Sequence, residues 1–432
     1  MGEVLHKQQP LAFGHSLRTI FPPISRPYLN QGSFGLVPLS VTAEESRLRS
    51  LVHDNPDAWF RRDLYIHVDQ LRHKLSKFYP GLNYKQIVPV QNTTFMIFSV
   101  IHSWPWRRND RLLITDIVYA PFRPGLEKAS KQFGFEIVMV NLNLPSSNKD
   151  IVKSFQDKFD ELGENHRVSL AMISVISSTP SIVLPVRQIS TLLTTCQVPV
   201  LWDAAHYHGQ IPPSILHPLD LLSDDDSYPG GVIITNVHKW GFAARTSAFA
   251  YISANLINTI HPILAASLVS LPGDAFAEFS WPGTMDWCGI LAAAPALDFL
   301  EVIGGPKAVS HYCQQLAMDI GKLVSEKWGT EVLEIRDLND INEHQGSFMT
   351  NVKLPQDVID PCLLPMRIVD AGGSYVPTFA LKERNKFGEL VETYWARLSA
   401  LVINDISDYV LYADMVLIDI KENKINQQAE TR

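Results

Sequence analysis

The chain has 432 residues, of which 46% are hydrophobic and 19% are charged, and its net charge is −8. This composition is ordinary for a globular protein with one large and one smaller domain. The negative charge argues against a surface for nucleic acid or anionic membranes, and no apolar run reaches the roughly 18 to 20 residues of a membrane span. Residues 1–10 lack the apolar core of a signal peptide. The four scattered cysteines form neither a disulfide framework nor a metal-ligand spacing. We therefore expect a cytoplasmic protein without a metal site.

The N-terminal part of the chain is predicted to be an arm that ends in a tight turn. Residues 21–27 are rich in proline, and the segment Asn30–Gly35 follows, with Pro38 behind it. Two glycines among small polar residues are typical of a close-packed turn near a ligand or a partner subunit. Residues 1–40 are accordingly assigned to an arm and an active-site turn. Apolar residues at three- and four-residue spacing then predict a helix from Leu39 to Phe78.

From about residue 83 the pattern changes to alternating strands and helices. Seven short apolar runs predict buried strands; they are Ile87–Val90, Leu112–Thr115, Glu136–Val140, Ala171–Ile176, Val198–Trp202, Val232–Thr235 and Ala248–Ile252. Amphipathic segments between them predict helices at Thr94–His102, Phe122–Phe133, Lys149–Leu162 and Val186–Thr194. This alternation predicts an α/β fold with a mostly parallel, doubly wound seven-stranded sheet.

The C-terminal third is predicted to form a second, smaller unit. A solvated acidic loop is expected at Asp224–Asp226, and a long apolar helix is expected at Gly289–Ile303. That helix would link a large domain, residues 41–305, to a small α+β domain, residues 306–432.

Two predicted strands end in residues that can carry chemistry. In open α/β sheets, ligands bind where the strands end. Asp203 follows one strand and Lys239 follows the next, 36 residues later, and this pair is what a pyridoxal phosphate enzyme needs. The lysine forms a Schiff base with the cofactor, and the aspartate keeps the pyridine nitrogen protonated. The simpler alternative is a solvated lysine and a turn-capping aspartate, but His238 and Trp240 beside Lys239 are unusual for a solvent-facing position.

A phosphate site is predicted where the first strand meets its helix. Asn92, Thr93 and Thr94 open that helix, and backbone amides with a hydroxyl at a helix N-terminus bind anions. A plain threonine cap is the alternative. Beside an aspartate and a lysine that call for a phosphorylated cofactor, the anion site is favoured.

Six motifs, in order along the chain, resemble the class V aminotransferase family of fold-type I pyridoxal phosphate enzymes. The similarity runs from about residue 12 to about residue 410 and is strongest to the branch with isopenicillin N epimerase and hercynylcysteine sulfoxide lyase. Within that branch the chain most resembles the fungal enzymes of loline alkaloid biosynthesis. The motifs are Asn30–Gly35 with Pro38, Asn92–Thr94, Trp202–His206, Asn236–Trp240, Phe279–Asp286 and Arg397–Ser399.

The resemblance implies a role for each residue that matches a motif. Lys239 would be the Schiff-base lysine and the proton shuttle at the substrate Cα, Asp203 would pair with the pyridine nitrogen, and His206 would contact the phenolic oxygen of the cofactor. The residues implied to hold the phosphate are Thr93, Thr94, Asn236, His238 and, from the neighbouring subunit, Thr284. The last of these implies a homodimer with shared active sites.

The resemblance also implies how a small amino-acid substrate is held. Arg397 would clamp its α-carboxylate, because a guanidinium binds a carboxylate in a bidentate way that lysine cannot reproduce. Asn30 and Gln31 would face the substrate, although many relatives have histidine in place of Gln31. Tyr119 would stack on the cofactor or donate a proton to a leaving group. Ser178 would lie near an oxygen of the cofactor.

Several reactions fit this set of residues. The resemblance to the loline enzymes predicts that a carbanion at Cα closes a ring by a Mannich-type step. The alternatives are a C–S lyase of the hercynylcysteine sulfoxide type, an amino-acid epimerase or aminotransferase, and a scaffold that binds the cofactor without catalysis. No cysteine lies in an obvious mobile active-site loop, which argues against a persulfide-carrying desulfurase. The presence of Asp203, Lys239 and Arg397 together argues against the scaffold.

Overall fold

The computed structural model describes residues 12–165, 167–222, 228–264, 266, 271–333, 346–384 and 389–430. The predicted acidic loop at 224–226 lies outside them. No single helix in this part of the chain is long and apolar enough to cross a membrane, and Cys288–Val302 with Gly305–Trp328 meets that test only as a pair bent by 74°.

A seven-stranded sheet forms the centre of the N-terminal two thirds, as predicted. Its strands are β1 (Ile87–Val90), β2 (Arg111–Thr115), β3 (Glu136–Val140), β4 (Val168–Ser174), β5 (Val200–Asp203), β6 (Gly231–Asn236) and β7 (Ala248–Ile252). Their order is β1-β7-β6-β5-β4-β2-β3. β7 is antiparallel to β1 and β6, and the remaining pairs are parallel. β4 ends before the predicted Ile176, because Ile176 pairs with Val183 outside the sheet.

The helices in this part of the chain are α1 (Leu39–Asp54), α2 (Pro56–Ala58), α3 (Leu64–Phe78), α4 (Thr93–Ser103), α5 (Arg123–Phe133), α6 (Asn148–Leu162), α7 (Val186–Thr195), α8 (Cys288–Leu291) and α9 (Ala293–Val302). Four of them, α4 to α7, begin and end within one residue of their predicted positions. Short 3-10 turns lie at His15–Ile20, Tyr84–Gln86, Ala120–Phe122, Pro218–Asp220 and Ala254–Leu256, and a π-helical segment lies at Trp59–Asp63. The strands of the sheet other than β3 are almost wholly buried, as expected for a sheet covered on both faces, whereas the edge strand β3 is partly exposed.

Two predicted long helices are each broken near a proline. The prediction of one helix over Leu39–Phe78 was wrong because Asn55 leaves the helical region, with φ −147° and ψ 88°, as residues before proline tend to do. Its side chain then caps the next turn by accepting from the Ala58 amide at 3.0 Å. The predicted helix Gly289–Ile303 divides into α8 and α9, because Pro295 has no N–H to donate back to the preceding turn.

A second, antiparallel sheet follows. It contains β8 (Met349–Lys353), β9 (Thr378–Arg384) and β10 (Leu390–Ser399) in the order β8-β10-β9. The helices of this part are α10 (Gly305–Trp328), α11 (Leu364–Asp370) and α12 (Ile406–Glu430). The N-terminal arm joins β10 where the Ser399 amide donates to the Leu29 carbonyl at 3.1 Å. The domain boundary at 305/306 stays a prediction.

The strand order brings the polar strand ends together at one edge of the large sheet. Asp203, the last residue of β5, is in register with Ser174 at the end of β4 and with Ile234 of β6. Asn236 ends β6, and Lys239 lies three residues further on. β1 runs in the same direction as β6, because both are antiparallel to β7. The helix-opening residues after β1 therefore reach the same edge.

Candidate active site

Lys239, His206 and Trp240 form a hydrogen-bonded chain at the sheet edge. The Lys239 Nζ atom lies 3.2 Å from His206 Nε2, and the Trp240 indole N–H donates to His206 Nδ1 at 3.2 Å. His206 and Trp240 are buried, whereas Lys239 is partly exposed. The structure thus brings together the lysine and the histidine that the sequence predicted to be catalytic.

The surroundings of Lys239 favour its neutral amine. Burial, and secondly the Arg397 charge, lower its pKa to about 7, while the Asp203 carboxylate acts in the opposite direction. Burial also lowers the pKa of His206 well below its usual value, with Lys239 and Arg397 adding to the effect. A neutral amine is the nucleophilic form, so Lys239 is suited to attack an aldehyde near pH 7.

Asp203 is a buried carboxylate that lacks a full set of partners. Its Oδ1 atom accepts from the Ala205 amide at 3.1 Å, and its other oxygen makes no hydrogen bond within the described part of the chain. Burial raises its pKa, while the Ala205 hydrogen bond and the Lys239 charge act against that shift. A buried acid of this kind is stabilised by a protonated nitrogen placed against it.

The residues predicted to hold a phosphate cluster at the start of α4. The Thr93 amide donates to Asn236 Oδ1 at 3.1 Å, and Asn92 Oδ1 caps the helix by accepting from Phe95 at 2.8 Å. Thr94 is exposed, and its amide makes no hydrogen bond with the described residues. Asn236 therefore anchors the helix N-terminus, which leaves the Thr94 amide and hydroxyl available to an anion.

His238 is fixed by the backbone of Ser247, the residue just before β7. Its Nδ1 atom lies 2.7 Å from the Ser247 carbonyl oxygen, so Nε2 is the ring nitrogen left for a ligand. Burial, with a smaller effect of the Lys239 charge, lowers its pKa to about 4. The predicted contacts of Asn236 and His238 with the phosphate stay predictions.

Arg397 is a buried guanidinium with only neutral partners among the described residues. Its Nη1 atom donates to the Ser178 carbonyl at 3.1 Å and hydroxyl at 3.0 Å, and its Nη2 atom donates to Asn30 Oδ1 at 2.8 Å and Ser33 Oγ at 3.0 Å. Burial lowers its pKa to about 10. A buried charge without a counter-ion is costly, so an anion placed against Arg397 would stabilise it. The predicted role of Arg397 as the clamp of a substrate carboxylate stays a prediction.

The turn Asn30–Gly35 holds the backbone of the lysine segment. The Gln31 amide donates to the Lys239 carbonyl at 2.8 Å, and its side-chain oxygen accepts from the Leu36 amide at 3.0 Å. A Cβ atom on Gly35 would collide with the carbonyls of His238 and Lys239, so only glycine fits there. The predicted close-packed turn is present. Both polar atoms of Gln31 are taken by backbone groups, and its predicted contact with the substrate stays a prediction.

Three other predicted site residues lie in different places. Ser178 contacts Arg397, and its predicted proximity to the cofactor oxygen stays a prediction. Tyr119 is 41% exposed, with its ring 5.1 Å from Phe122 and close enough to Arg397 to affect that pKa. Thr284 is exposed in a loop that is held by the ion pair between Arg49 and Asp286 at 2.5 Å.

The structure adds two residues to the predicted site. Ser33 donates to Asn30 Oδ1 at 2.9 Å and accepts from Arg397, so it helps to orient the guanidinium. Trp240 orients His206. Both residues belong to motifs that were recognised from the sequence, but their hydrogen bonds could be known only from the folded chain.

The residues present fit pyridoxal phosphate. The buried Asp203 offers an oxygen without a hydrogen bond in the described structure to a protonated ring nitrogen, and Lys239 offers a neutral amine to an aldehyde. The N-terminus of α4 offers the exposed Thr94 to a phosphate. These three features lie along one edge of the sheet, as a cofactor with a ring, an aldehyde and a phosphate requires.

Comparison with known sequences agrees with this assignment. No family model matches the chain. The hercynylcysteine sulfoxide lyase of Schizosaccharomyces pombe is 22% identical over 94% of this chain and 97% of its own length. The L-cysteine desulfhydrase-like protein lolT2 of Epichloe uncinata is 24% identical over 91% of this chain and 90% of its own. The putative L-cysteine desulfhydrase 1 of Oryza sativa subsp. japonica is 26% identical over 70% of this chain, and the match spans 63% of that protein.

Solved structures share the fold. A variant of C-DES with glycine covalently linked to its PLP cofactor superposes with a TM-score of 0.72 at 16% identity, over 92% of this chain and 98% of that one. A complex of the same protein, the cystine C–S lyase C-DES, contains cysteine persulfide. The cysteine desulfurase CsdA of Escherichia coli gives a TM-score of 0.70 at 15% identity, over 94% of this chain and 98% of that one.

These comparisons confirm the resemblance that the motifs indicated. The chain has the fold of the pyridoxal phosphate-dependent C–S lyase and cysteine desulfurases. It resembles hercynylcysteine sulfoxide lyase and the lolT proteins over nearly its whole length. The predictions of an enzyme and of pyridoxal phosphate as its cofactor are in this way borne out.

The pKa of Lys239 leads to a prediction for cofactor attachment. In the cofactor-free protein, the attachment rate is expected to rise with pH up to about 7 and then to level off, because the pKa of the amine is lowered to about 7. Below that value each pH unit lowers the neutral fraction about tenfold, whereas an ordinary lysine would show a rise up to about pH 10. Stopped-flow absorbance measures the rate, with pyridoxal as the control for titration of the cofactor phosphate. A rate that still climbs above about pH 9 would contradict the prediction.

Proposed function

We propose that this chain is a C–S lyase that acts on an amino acid with sulfur on its β-carbon. The observation that carries the substrate class is the buried Arg397, whose partners in the described structure are all neutral. The C–S bond is supported by the names of the relatives: each one compared above is a sulfoxide lyase, an L-cysteine desulfhydrase or a desulfhydrase-like protein.

Arg397 is placed to orient the substrate against the lysine. Its charge lies close enough to lower the pKa values of both Lys239 and His206. A substrate carboxylate paired with Arg397 therefore lies near both groups, and its α-carbon comes within reach of Lys239 Nζ. Bidentate pairing would fix the orientation of the carboxylate as well as its position.

The chain's own residues then move the protons. Pyridoxal phosphate, when bound, supplies a sink for the electron pair that is left when a bond at the α-carbon breaks. The Lys239 amine takes the proton from the α-carbon, which its lowered pKa allows near pH 7. Asp203, which is buried and close enough to Lys239 to affect its pKa, would hold the ring nitrogen of the bound cofactor in its charged form. Departure of the β-sulfur then completes the elimination. Tyr119, which is 41% exposed and close enough to Arg397 to affect that pKa, is the group proposed to protonate the sulfur.

A ring-forming Mannich-type reaction is the second candidate. The observation that favours it is the similarity to the L-cysteine desulfhydrase-like proteins lolT2 and lolT1 of Epichloe uncinata, each 24% identical over 91% of this chain. It needs the same carboxylate clamp and the same lysine, but no acid for a leaving group. Epimerisation and transamination require the same first proton transfer and are separated from elimination by their products.

Product analysis decides between these reactions. With L-cysteine, cystine or an S-oxidised cysteine conjugate, elimination yields pyruvate, ammonia and a sulfur product, whereas ring closure yields an isomeric cyclic amino acid from its own substrate. If elimination occurs, Tyr119→Phe is expected to lower kcat about 10²–10⁴-fold. Absence of pyruvate with every sulfur amino acid tested would refute the lyase. Pyruvate formation with no effect of Tyr119→Phe would refute only the role of Tyr119.

We also propose that the chain is a homodimer with shared active sites in the cytoplasm. Thr284 is exposed in the loop before α8. Beside it lies a groove between this loop and α1, and Val52, Phe60 and Met285 line that groove. A second copy seated there would carry Thr284 to the neighbouring phosphate site, as the resemblance implies.

Mixed variants test the shared site. Lys239→Ala and Thr284→Pro are each expected to be inactive alone. When the two are refolded together, up to about a quarter of the activity should return, because half of the dimers then hold one intact site of two. Sedimentation velocity gives the oligomeric state, and fluorescence microscopy of the tagged chain gives its location. A fully active monomer, or a mixture without recovered activity, would contradict the proposal.

A further inference from the structure

The hydrogen-bond pattern around His206 determines which of its ring nitrogens carries the proton. An indole N–H can only donate, so His206 Nδ1, 3.2 Å from Trp240 Nε1, must accept. In the neutral ring the proton is then on Nε2, which lies 3.2 Å from Lys239 Nζ. His206 Nε2 thus donates, and the lysine nitrogen accepts with the lone pair that only its neutral form has.

We propose that Trp240 is a positioning residue that holds His206 in its Nε2–H tautomer and thereby keeps Lys239 as the free amine. If Nδ1 carried the proton instead, Nε2 would be an acceptor and would favour the lysine ammonium. The same Nε2–H group is also the donor that His206 presents to an acceptor in the site. The inference does not depend on which bond the enzyme breaks, because it concerns the lysine before any substrate binds.

The fold keeps Trp240 in this position. The indole is buried, and its ring packs edge-on against Phe348 at 5.5 Å. A Cβ atom on Gly32 would lie 3.3 Å from the indole and 2.7 Å from Met349 Sδ, so glycine in the turn makes room for the ring. An indole held from two sides keeps its N–H directed at His206.

The hydrogen bond from His206 acts together with burial and the charges near Lys239. Burial is the largest cause of the lowered pKa of Lys239; Arg397, from β10, adds to it, and Asp203, at the end of β5, acts against it. The neighbouring His238 has a pKa near 4 and is neutral at pH 7. A hydrogen bond that requires the lone pair of the lysine favours the neutral amine as well.

The test removes the indole N–H group, in one variant with almost no change of shape. In the full-length chain, Trp240→benzothienylalanine replaces the N–H group with sulfur at nearly constant volume, and Trp240→Phe serves as a second variant. Ring ¹⁵N resonances of labelled histidine report the tautomer directly, and the resonance that disappears in His206→Gln identifies His206. The wild-type protein is expected to show a protonated Nε2. Both Trp240 variants are expected to show a substantial Nδ1–H population.

The second readout is the lysine itself. In the Trp240 variants, the pH midpoint for attachment of pyridoxal phosphate is expected to rise by about one unit, which lowers the rate at pH 6 about tenfold. Trp328→Phe is the matched control, because that buried indole donates to the Ala413 carbonyl at 3.1 Å, away from the site. In a His206→Gln background, Trp240→Phe should shift the midpoint little, since an amide has no tautomer to set.

Three outcomes would overturn the proposal. They are an Nδ1–H tautomer in the wild-type protein, an unchanged tautomer and midpoint in both Trp240 variants, and an equal shift in Trp328→Phe. A failed search for C–S lyase activity would leave these measurements intact, because none of them uses a substrate.

Discussion

Asp203→Asn is expected to lower kcat about 10²–10³-fold while pyridoxal phosphate stays attached to Lys239. The carboxylate is buried, and one of its oxygens makes no hydrogen bond in the described structure, so it is available to hold the ring nitrogen in its charged form. An amide cannot stabilise that charge, and loss of one preorganised electrostatic contact costs about this much. Steady-state kinetics gives kcat, and borohydride reduction with peptide mapping locates the cofactor on Lys239.

Two further measurements separate this role from a structural one. Burial raises the pKa of Asp203 in the cofactor-free protein, so the carboxylate contributes stability only at low pH and loses that contribution as the pH rises through its folded pKa. Asp203→Asn should therefore raise the thermal midpoint of the cofactor-free protein at neutral pH and not at pH below about 4. The control is Asp408, an equally buried aspartate that is bound by Arg18 and His15. Asp408→Asn should lower the stability of the protein and leave kcat unchanged. Near-normal turnover in Asp203→Asn would show that Asp203 only closes a turn.

The cofactor side of the site was predictable because its residues follow strands. Asp203 and Lys239 each come shortly after an apolar run, and the carboxyl ends of parallel strands meet at one edge of a sheet. The register of β5 with β4 and β6 produces this arrangement directly. The predicted strand ends differ from the observed ones by at most three residues, and such shifts do not move a residue to another edge.

The substrate side depended on contacts that no local pattern encodes. Arg397 and Asn30 are 367 positions apart in the chain, yet Arg397 Nη2 donates to Asn30 Oδ1 at 2.8 Å. The resemblance gave Arg397 a role, but its neutral partners Ser178 and Ser33 came only from the structure. Gln31 is a second residue whose contacts could not be predicted from the sequence. Its side chain donates to the Lys239 carbonyl, and its place in a polar turn does not reveal this.

The prediction of one continuous helix between residues 39 and 78 was wrong for a local reason that was visible in the sequence. Apolar spacing continues across Asn55 and Pro56, so periodicity alone predicts one helix. The backbone restriction before proline and the asparagine cap override that pattern. The tautomer of His206, in contrast, could not be predicted from the sequence. It depends on the distances of 3.2 Å from His206 Nε2 to Lys239 Nζ and from His206 Nδ1 to Trp240 Nε1.

Arg397→Met is expected to lower kcat/KM about 30- to 4,000-fold, mainly through KM. The guanidinium is buried and its partners in the described structure are neutral, so a substrate carboxylate would be the anion paired with it. Truncating one member of a buried, hydrogen-bonded charge pair costs about 2–5 kcal/mol, and each 1.4 kcal/mol is a factor of ten. Arg397→Lys keeps the charge but not the two-pronged geometry, and it should recover only part of the loss.

A control variant, Arg367→Met, and a shift in the pH midpoint of cofactor attachment make the prediction for Arg397 specific. Arg367→Met removes a guanidinium that is paired with Asp419 at 2.8 Å; it should lower stability and leave KM unchanged. Arg397 lowers the pKa of Lys239 whereas Asp203 raises it. Arg397→Met should therefore move the pH midpoint of cofactor attachment upward, and Asp203→Asn should move it downward. An unchanged KM in Arg397→Met, with a folded protein and the upward shift of the midpoint, would place Arg397 beside the lysine but remove it from substrate binding. In that case the amino-acid substrate would have to be held by another cation.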